Sequence, residues 1–181
     1  MKTSTFPIEG LILVEPDVFG DHRGYFFESY SFKKYEAAGI GCTFVQDNQS
    51  FSAKKGIIRG LHFQHPPYAQ AKLVRCTRGR VMDVAVDLRK SSPTFLQWIS
   101  VELSEENKRQ LFIPRGFAHG FVTLTDNCEL QYKADNYYAP EADGAIAYND
   151  PQIGVEWGVE NPVLSAKDAA ARPYGEQDID F

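Results

Sequence analysis

Short runs of alternating apolar and polar residues, broken every few positions by glycine, proline or asparagine, make up most of this chain. Runs at 8–14, 25–30, 43–51, 57–64, 71–77, 80–88, 95–103, 109–113, 119–125 and 128–134 predict strands. Gly56, Pro66-Pro67, Arg78-Gly79, Ser92-Pro93, Gly116 and Asp126-Asn127 predict the turns between them. Two short helices interrupt this pattern, one capped at Ser31 and stopped at Gly39, the other over 165–171. So many short strands at such spacing predict an all-β sandwich or jelly-roll barrel. No linker or repeat divides the chain, so residues 1–181 are expected to form a single domain.

Strand phase also predicts which side chains share a face. On 80–88, Met82, Val84, Val86 and Leu88 point one way, and Val81, Asp83, Ala85 and Asp87 the other. Tyr132 is in phase with Cys128 and Leu130, and Lys72 with Val74 and Cys76, so a phenol and an ammonium are aimed at the interior. A lone charge there needs a partner, which is either a buried salt bridge or an anionic ligand. His62 shares a face with Gln64, whereas Arg59 falls opposite unless Gly60 marks a bulge. His62 is either a satisfied core histidine or a general base, and Tyr132 either a core tyrosine or an acid. Gln46, Asn48 and Ser50 form a polar row that is either a ligand surface or the solvated side of an edge strand.

Composition narrows the chemistry. A net charge of -5 without a basic block argues against nucleic acid as a partner. No apolar run reaches the length of a bilayer span and no signal-peptide pattern opens the chain, so a cytoplasmic protein without membrane contact is expected. Cys42, Cys76 and Cys128 lack the spacing of a disulfide framework or zinc knuckle. His62 and His65 diverge on a regular strand and no carboxylate follows at ligand spacing, so no metal is expected. Phosphate-binding glycine loops and nucleophile elbows are absent as well.

Several words in the sequence together resemble one family. They are Phe19-Gly20-Asp21-x-Arg23-Gly24-Tyr25-Phe26-Phe27-Glu28, Gln46-Asp47-Asn48, Arg59-Gly60-Leu61-His62-Phe63-Gln64, Gln70-Ala71-Lys72-Leu73-Val74, Pro114-x-Gly116-Phe117-Ala118-His119-Gly120 and Leu164-Ser165-Ala166-Lys167-Asp168. The chain resembles the dTDP-4-dehydrorhamnose 3,5-epimerases of the cupin superfamily. Leu96 and Arg115 depart from the usual pattern without removing a reactive group.

The resemblance implies an all-β, cupin-type jelly-roll barrel with short peripheral helices. It also implies a cofactor-free homodimer acting on a dTDP-sugar in the third step of dTDP-L-rhamnose synthesis. Within it His62 is the base, Tyr132 the acid, Asp168 the partner of the histidine, and Lys72 the group beside the C4 oxygen. Arg23, Phe26, Glu28, Gln46, Asp47, Asn48, Arg59, His119, Tyr138, Asp143 and Lys167 match substrate-binding positions. For Asp168 a second explanation stands, because Ser165-x-x-Asp168 also has the form of a helix capping box. A single-centre epimerase, a metal-dependent cupin and a non-catalytic sugar-nucleotide binder are the alternatives to be separated by experiment.

Overall fold

A computed structural model describes all residues from 1 to 181. Six strands form one antiparallel sheet in the order β1 (Lys2–Thr5), β2 (Ile12–Glu15), β10 (Gln110–Ile113), β7 (Lys72–Arg78), β12 (Cys128–Ala134) and β5 (Gln46–Ser52). Five form a second, in the order β13 (Asp143–Ala145), β6 (Ile58–Gln64), β11 (Phe117–Thr123), β8 (Arg80–Asp87) and β9 (Trp98–Ser104). Strands β3 (Phe19–Asp21) and β4 (Gly24–Phe26) pair only with each other, as a ribbon. Helices α1 (Phe32–Ala37) and α2 (Ala166–Ala169) complete the fold. No helix is long and apolar enough to cross a membrane.

The expected all-β jelly-roll barrel is not what forms. None of the three sheets closes on itself: β1 and β5 are free edges of one, β13 and β9 of the other. The result is a mixed arrangement of strands and helices built on open sheets. Where β5 approaches β6, the latter already has backbone partners on both sides, β11 and β13, which leaves a gap without a ladder. Arg59 spans that gap, donating from Nε to Ser52 Oγ at 3.1 Å and from Nη2 to the Phe51 carbonyl at 2.9 Å. Side-chain contacts, and not a backbone ladder, join the two strands there.

Alternation on β8 decides how the layers pack. Val81 and Ala85 face the larger sheet and meet Val74, Cys76, Leu111, Ile113 and Leu130. Val84, Val86 and Leu88 face outward onto Ile146, Ile153, Trp157 and Ile179, which the C-terminal segment lays over the sheet. The smaller sheet is therefore buried on both sides, and every residue of β11 is buried. Fully burying a Val, Leu or Ile side chain stabilises by about 1.5–3 kcal/mol. A third apolar cluster, including Val14, Tyr35, Ile40, Leu73 and Phe112, seats α1 on the far face of the larger sheet.

Pairing between β6 and β11 contains the irregularity that positions the site. His62 opposes His119 and Arg59 opposes Phe121, so two residues on β6 match one on β11. The extra residue is a bulge, and it reverses the side-chain parity between Arg59 and His62. Ile58, Leu61 and Phe63 then all reach the outer core, while Arg59 and His62 share the inner face. Gly60 makes this possible, with φ at +127° and the Gly120 backbone beside it. A Cβ on Gly60 would lie 2.5 Å from Gly120 Cα and 2.8 Å from the His119 carbonyl oxygen. Gly60→Ala is therefore expected to destabilise the chain by roughly 3 kcal/mol, read as a lower midpoint of denaturant unfolding. An unchanged midpoint would contradict this account of the bulge.

Candidate active site

The inner faces of the two sheets bring together groups that lie far apart in sequence. From the larger sheet, Lys72 on β7 and Tyr132 on β12 point inward, with Lys72 Nζ 5.6 Å from the centre of the Tyr132 ring. Asn48 opposes Tyr132 across β5 and so lies on the same face, as do Gln46 and Ser50. The smaller sheet contributes Arg59 and His62 on β6, His119 on β11 and Asp83 on β8. Asp143 on β13 pairs in register with Gln64 at the end of β6.

His62 is oriented by Asp168. Its Nε2 lies 2.5 Å from Asp168 Oδ1, with the imidazole about one-third exposed and the carboxylate 3% exposed. With Asp168 accepting from Nε2–H, the lone pair able to take a proton sits on Nδ1. Asp168 reaches this position from α2. Its N–H donates to Ser165 Oγ at 3.1 Å, and Ser165 Oγ donates to its Oδ2 at 2.7 Å. The cap at Ser165 and the hydrogen bond with His62 thus coexist, one carboxylate oxygen serving each. Burial pushes this carboxyl upward, but hydrogen bonds from His62 and Ser165 outweigh it and hold Asp168 below the usual carboxylate range.

Burial has the opposite consequence for the ammonium. It lowers Lys72 to about 8, against the opposing pull of Asp83 and Asp143. No carboxylate makes an ion pair with Lys72, so its charge is free for a ligand. Burial also raises the Tyr132 phenol, with Asp143 and Tyr138 adding to the effect, so this hydroxyl stays protonated through neutral pH. Asn48 Nδ2 is buried without a hydrogen-bond partner, a donor whose desolvation costs about 1–3 kcal/mol until something accepts from it.

A second histidine–carboxylate pair lies deeper. His119 Nε2 is 2.8 and 3.0 Å from the two oxygens of Asp83, and both residues are buried. Sequence reasoning put Asp83 in phase with Val81 and Ala85, without saying which face is inner, and gave it no role. The available signal was an acid on the apolar side of a strand; its partner, 36 residues away, is not visible locally. Asp87, in the same phase, is bound instead by Arg89, Ser92 and Thr94, which makes it a structural anchor.

At the mouth of the cleft the Tyr138 hydroxyl donates to Asp143 Oδ2 at 3.2 Å, and Lys167 forms an ion pair with the same oxygen. The Tyr138 N–H donates to Gln46 Oε1 at 3.0 Å. Four residues that the resemblance assigned to substrate lie elsewhere. Asp47 is exposed on the outer face and pairs with Lys133 at 2.9 Å. Arg23 pairs with Asp21 at 2.5 Å on the ribbon, Phe26 is 71% exposed beside it, and Glu28 pairs with Lys34 at 2.9 Å. No group of three or more His, Cys, Asp or Glu side chains converges as a metal site would require.

A family model described as dTDP-4-dehydrorhamnose 3,5-epimerase matches residues 5–176, nearly the whole chain. The chain belongs to the dTDP-4-dehydrorhamnose 3,5-epimerase family. A member from Salmonella typhimurium LT2 is 60% identical over 166 residues, covering 91% of this chain and 90% of its own. The crystal structure of dTDP-6-deoxy-D-glucose-3,5-epimerase RmlC from Legionella pneumophila Philadelphia 1, in complex with dTDP-4-keto-L-rhamnose, is also similar. It is 48% identical, with a TM-score of 0.93, over 98% of this chain and 94% of that one. ChmJ from Streptomyces bikiniensis, described as a 3'-monoepimerase in complex with dTDP-quinovose, is 33% identical. Its TM-score is 0.86, over 93% of this chain and 85% of that one.

Proposed function

We propose that this chain epimerises C3 and C5 of dTDP-4-dehydro-6-deoxy-alpha-D-glucose, giving dTDP-4-dehydro-beta-L-rhamnose. The observation that carries the mechanism is that base and acid come from opposite sheets. His62 projects from the smaller sheet and Tyr132 from the larger, with Lys72 beside the phenol. Inversion at carbon needs a proton removed from one face of the ring and returned to the other.

Hydrogens at C3 and C5 are acidic because the C4 ketone accepts the electron pair as an enolate. His62 Nδ1 takes the proton, and Asp168 stabilises the imidazolium that forms. Lys72 faces the growing charge on the C4 oxygen, an interaction stronger in the transition state than in the ground state. Tyr132 then delivers a proton from the opposite side. The ketone is itself the electron sink, so this route calls on no organic cofactor or metal. Arg59, with its guanidinium fixed on the β5 edge, suits the diphosphate, and the exposed Tyr138 ring offers a face for the base.

The test is proton exchange at C3 and C5 of the keto sugar in deuterium oxide, followed by NMR. Tyr132→Phe is expected to retain exchange of substrate hydrogen while yielding little fully inverted product; full product formation would remove Tyr132 as the acid. Deuterium at one carbon only would favour the single-centre reaction carried out by ChmJ, whose likeness is weaker than that of the Salmonella member.

The positions of Arg23, Phe26 and Glu28 support a homodimer. Phe19, Tyr25 and Phe26 expose their rings on a ribbon paired to neither main sheet. These residues would meet substrate in the cleft of a second copy. Sedimentation is expected to give a dimer, and mixing Arg23→Ala with His62→Asn chains is expected to restore activity above either alone. A fully active monomer would defeat this assignment.

A further inference from the structure

Gln64 ends β6 two residues beyond His62, on the same side, and is only 5% exposed. Its carboxamide makes three hydrogen bonds to two loops. Nε2 donates to the Tyr68 carbonyl at 2.7 Å and to the Tyr137 carbonyl at 3.2 Å, while Oε1 accepts from Ala139 N–H at 2.8 Å. Both donor and acceptor capacities are in use, so no other side chain of similar size substitutes for it. Nearby, Gln70 Nε2 donates to the Asn136 carbonyl at 2.8 Å. Two amides, one at the end of β6 and one in the loop just before β7, thus hold residues 136–139 against the cleft.

That segment carries Tyr138, whose N–H binds Gln46 and whose hydroxyl binds Asp143. The ring is 55% exposed, which leaves a face open to solvent at the mouth. Apart from this clamp, Tyr138 itself is held by two exposed hydrogen bonds. We propose that Gln64 is a positioning residue for substrate binding, which clamps residues 136–139 so that Tyr138 stands ready for the nucleotide end of the ligand. This rests on the cleft taking a dTDP-sugar.

The test uses the full chain as wild type, Gln64→Met, Tyr138→Ala and the double variant, with dTDP binding measured by calorimetry. Gln64→Met is expected to weaken dTDP about tenfold, with kcat for hydrogen exchange at saturating substrate little changed. In the double variant the losses are expected not to multiply, because Gln64 acts through Tyr138. Multiplying losses, or a fall in kcat with dTDP affinity intact, would overturn the proposal. Should Gln64→Met fail to fold, Gln64→Glu keeps the acceptor for Ala139 N–H and loses both donors, and the same non-additivity is expected. Amide exchange of the 136–139 segment separates the two layers of inference. Gln64→Met is expected to speed it without ligand; unchanged exchange overturns the clamp, whereas a wild-type chain that ignores dTDP overturns the substrate assignment alone.

Discussion

Lys72→Met will lower kcat for exchange at C3 by several hundred-fold, about 3–4 kcal/mol of transition-state stabilisation, and leave dTDP affinity nearly unchanged. The ammonium is inward-facing beside Tyr132 and has no carboxylate bonded to it, so its charge is available to the C4 oxygen. Methionine fills the same space without the charge, which separates electrostatics from packing. The pH profile gives an independent check. Burial places Lys72 at about 8, so its cationic form is present below that pH and is lost as pH rises through it. Wild-type kcat/KM is expected to fall on an alkaline limb near 8, and Lys72→Met to lack that limb. Tyr132 does not supply it, because burial raises the phenol above its ordinary value of 10. A retained limb in the variant, or a loss appearing only in KM, would show that the ammonium binds substrate and does not stabilise the enolate.

Removing the base is expected to cost still more. His62→Asn keeps a polar side chain beside Asp168 but has no group able to accept a proton near neutral pH, and turnover should drop by about 10³–10⁴. Asp168→Asn is expected to act in the same direction and less strongly, since the imidazole remains but loses the carboxylate that fixes its tautomer. The Ser165 cap survives in that variant through the backbone N–H at 168, so its unfolding midpoint should move little. If Asp168→Asn instead unfolded readily while its turnover matched wild type, the carboxylate would be a helix cap and nothing more. Exchange at undiminished rate in His62→Asn would require a different base, and His119, held by Asp83 in the same cleft, would be the first to examine.

Strand phase made much of this cleft legible. Lys72 with Val74 and Cys76, and Tyr132 with Cys128 and Leu130, follow strict alternation, and the inner core contains those neighbours. Arg59 and His62 break strict alternation through a bulge that Gly60 had offered as one of two readings, and pairing with β11 decides between them. Closure of the sheets was misjudged for a related reason. A strand's sequence states which face is apolar but not whether its edge finds a backbone partner, and β6, which Arg59 links to β5, is already paired with β11 and β13. Asp168 looked like a choice between cap and chemistry, but its two oxygens allow both. Strand β13 and the pairing of Asp83 with His119 depend on contacts distant in sequence, and neither left a local signature. The ribbon residues Arg23 and Phe26 were singled out by likeness alone, and the structure places both on an exposed ribbon paired to neither main sheet.

Asp168 arrives late. It stands thirteen residues before Phe181, while the strands bearing His62, Lys72 and Tyr132 are all complete by Ala134. A chain still being synthesised can therefore pair its sheets before the carboxylate that aligns the imidazole has emerged. Alignment of the imidazole waits on α2 docking beside β6.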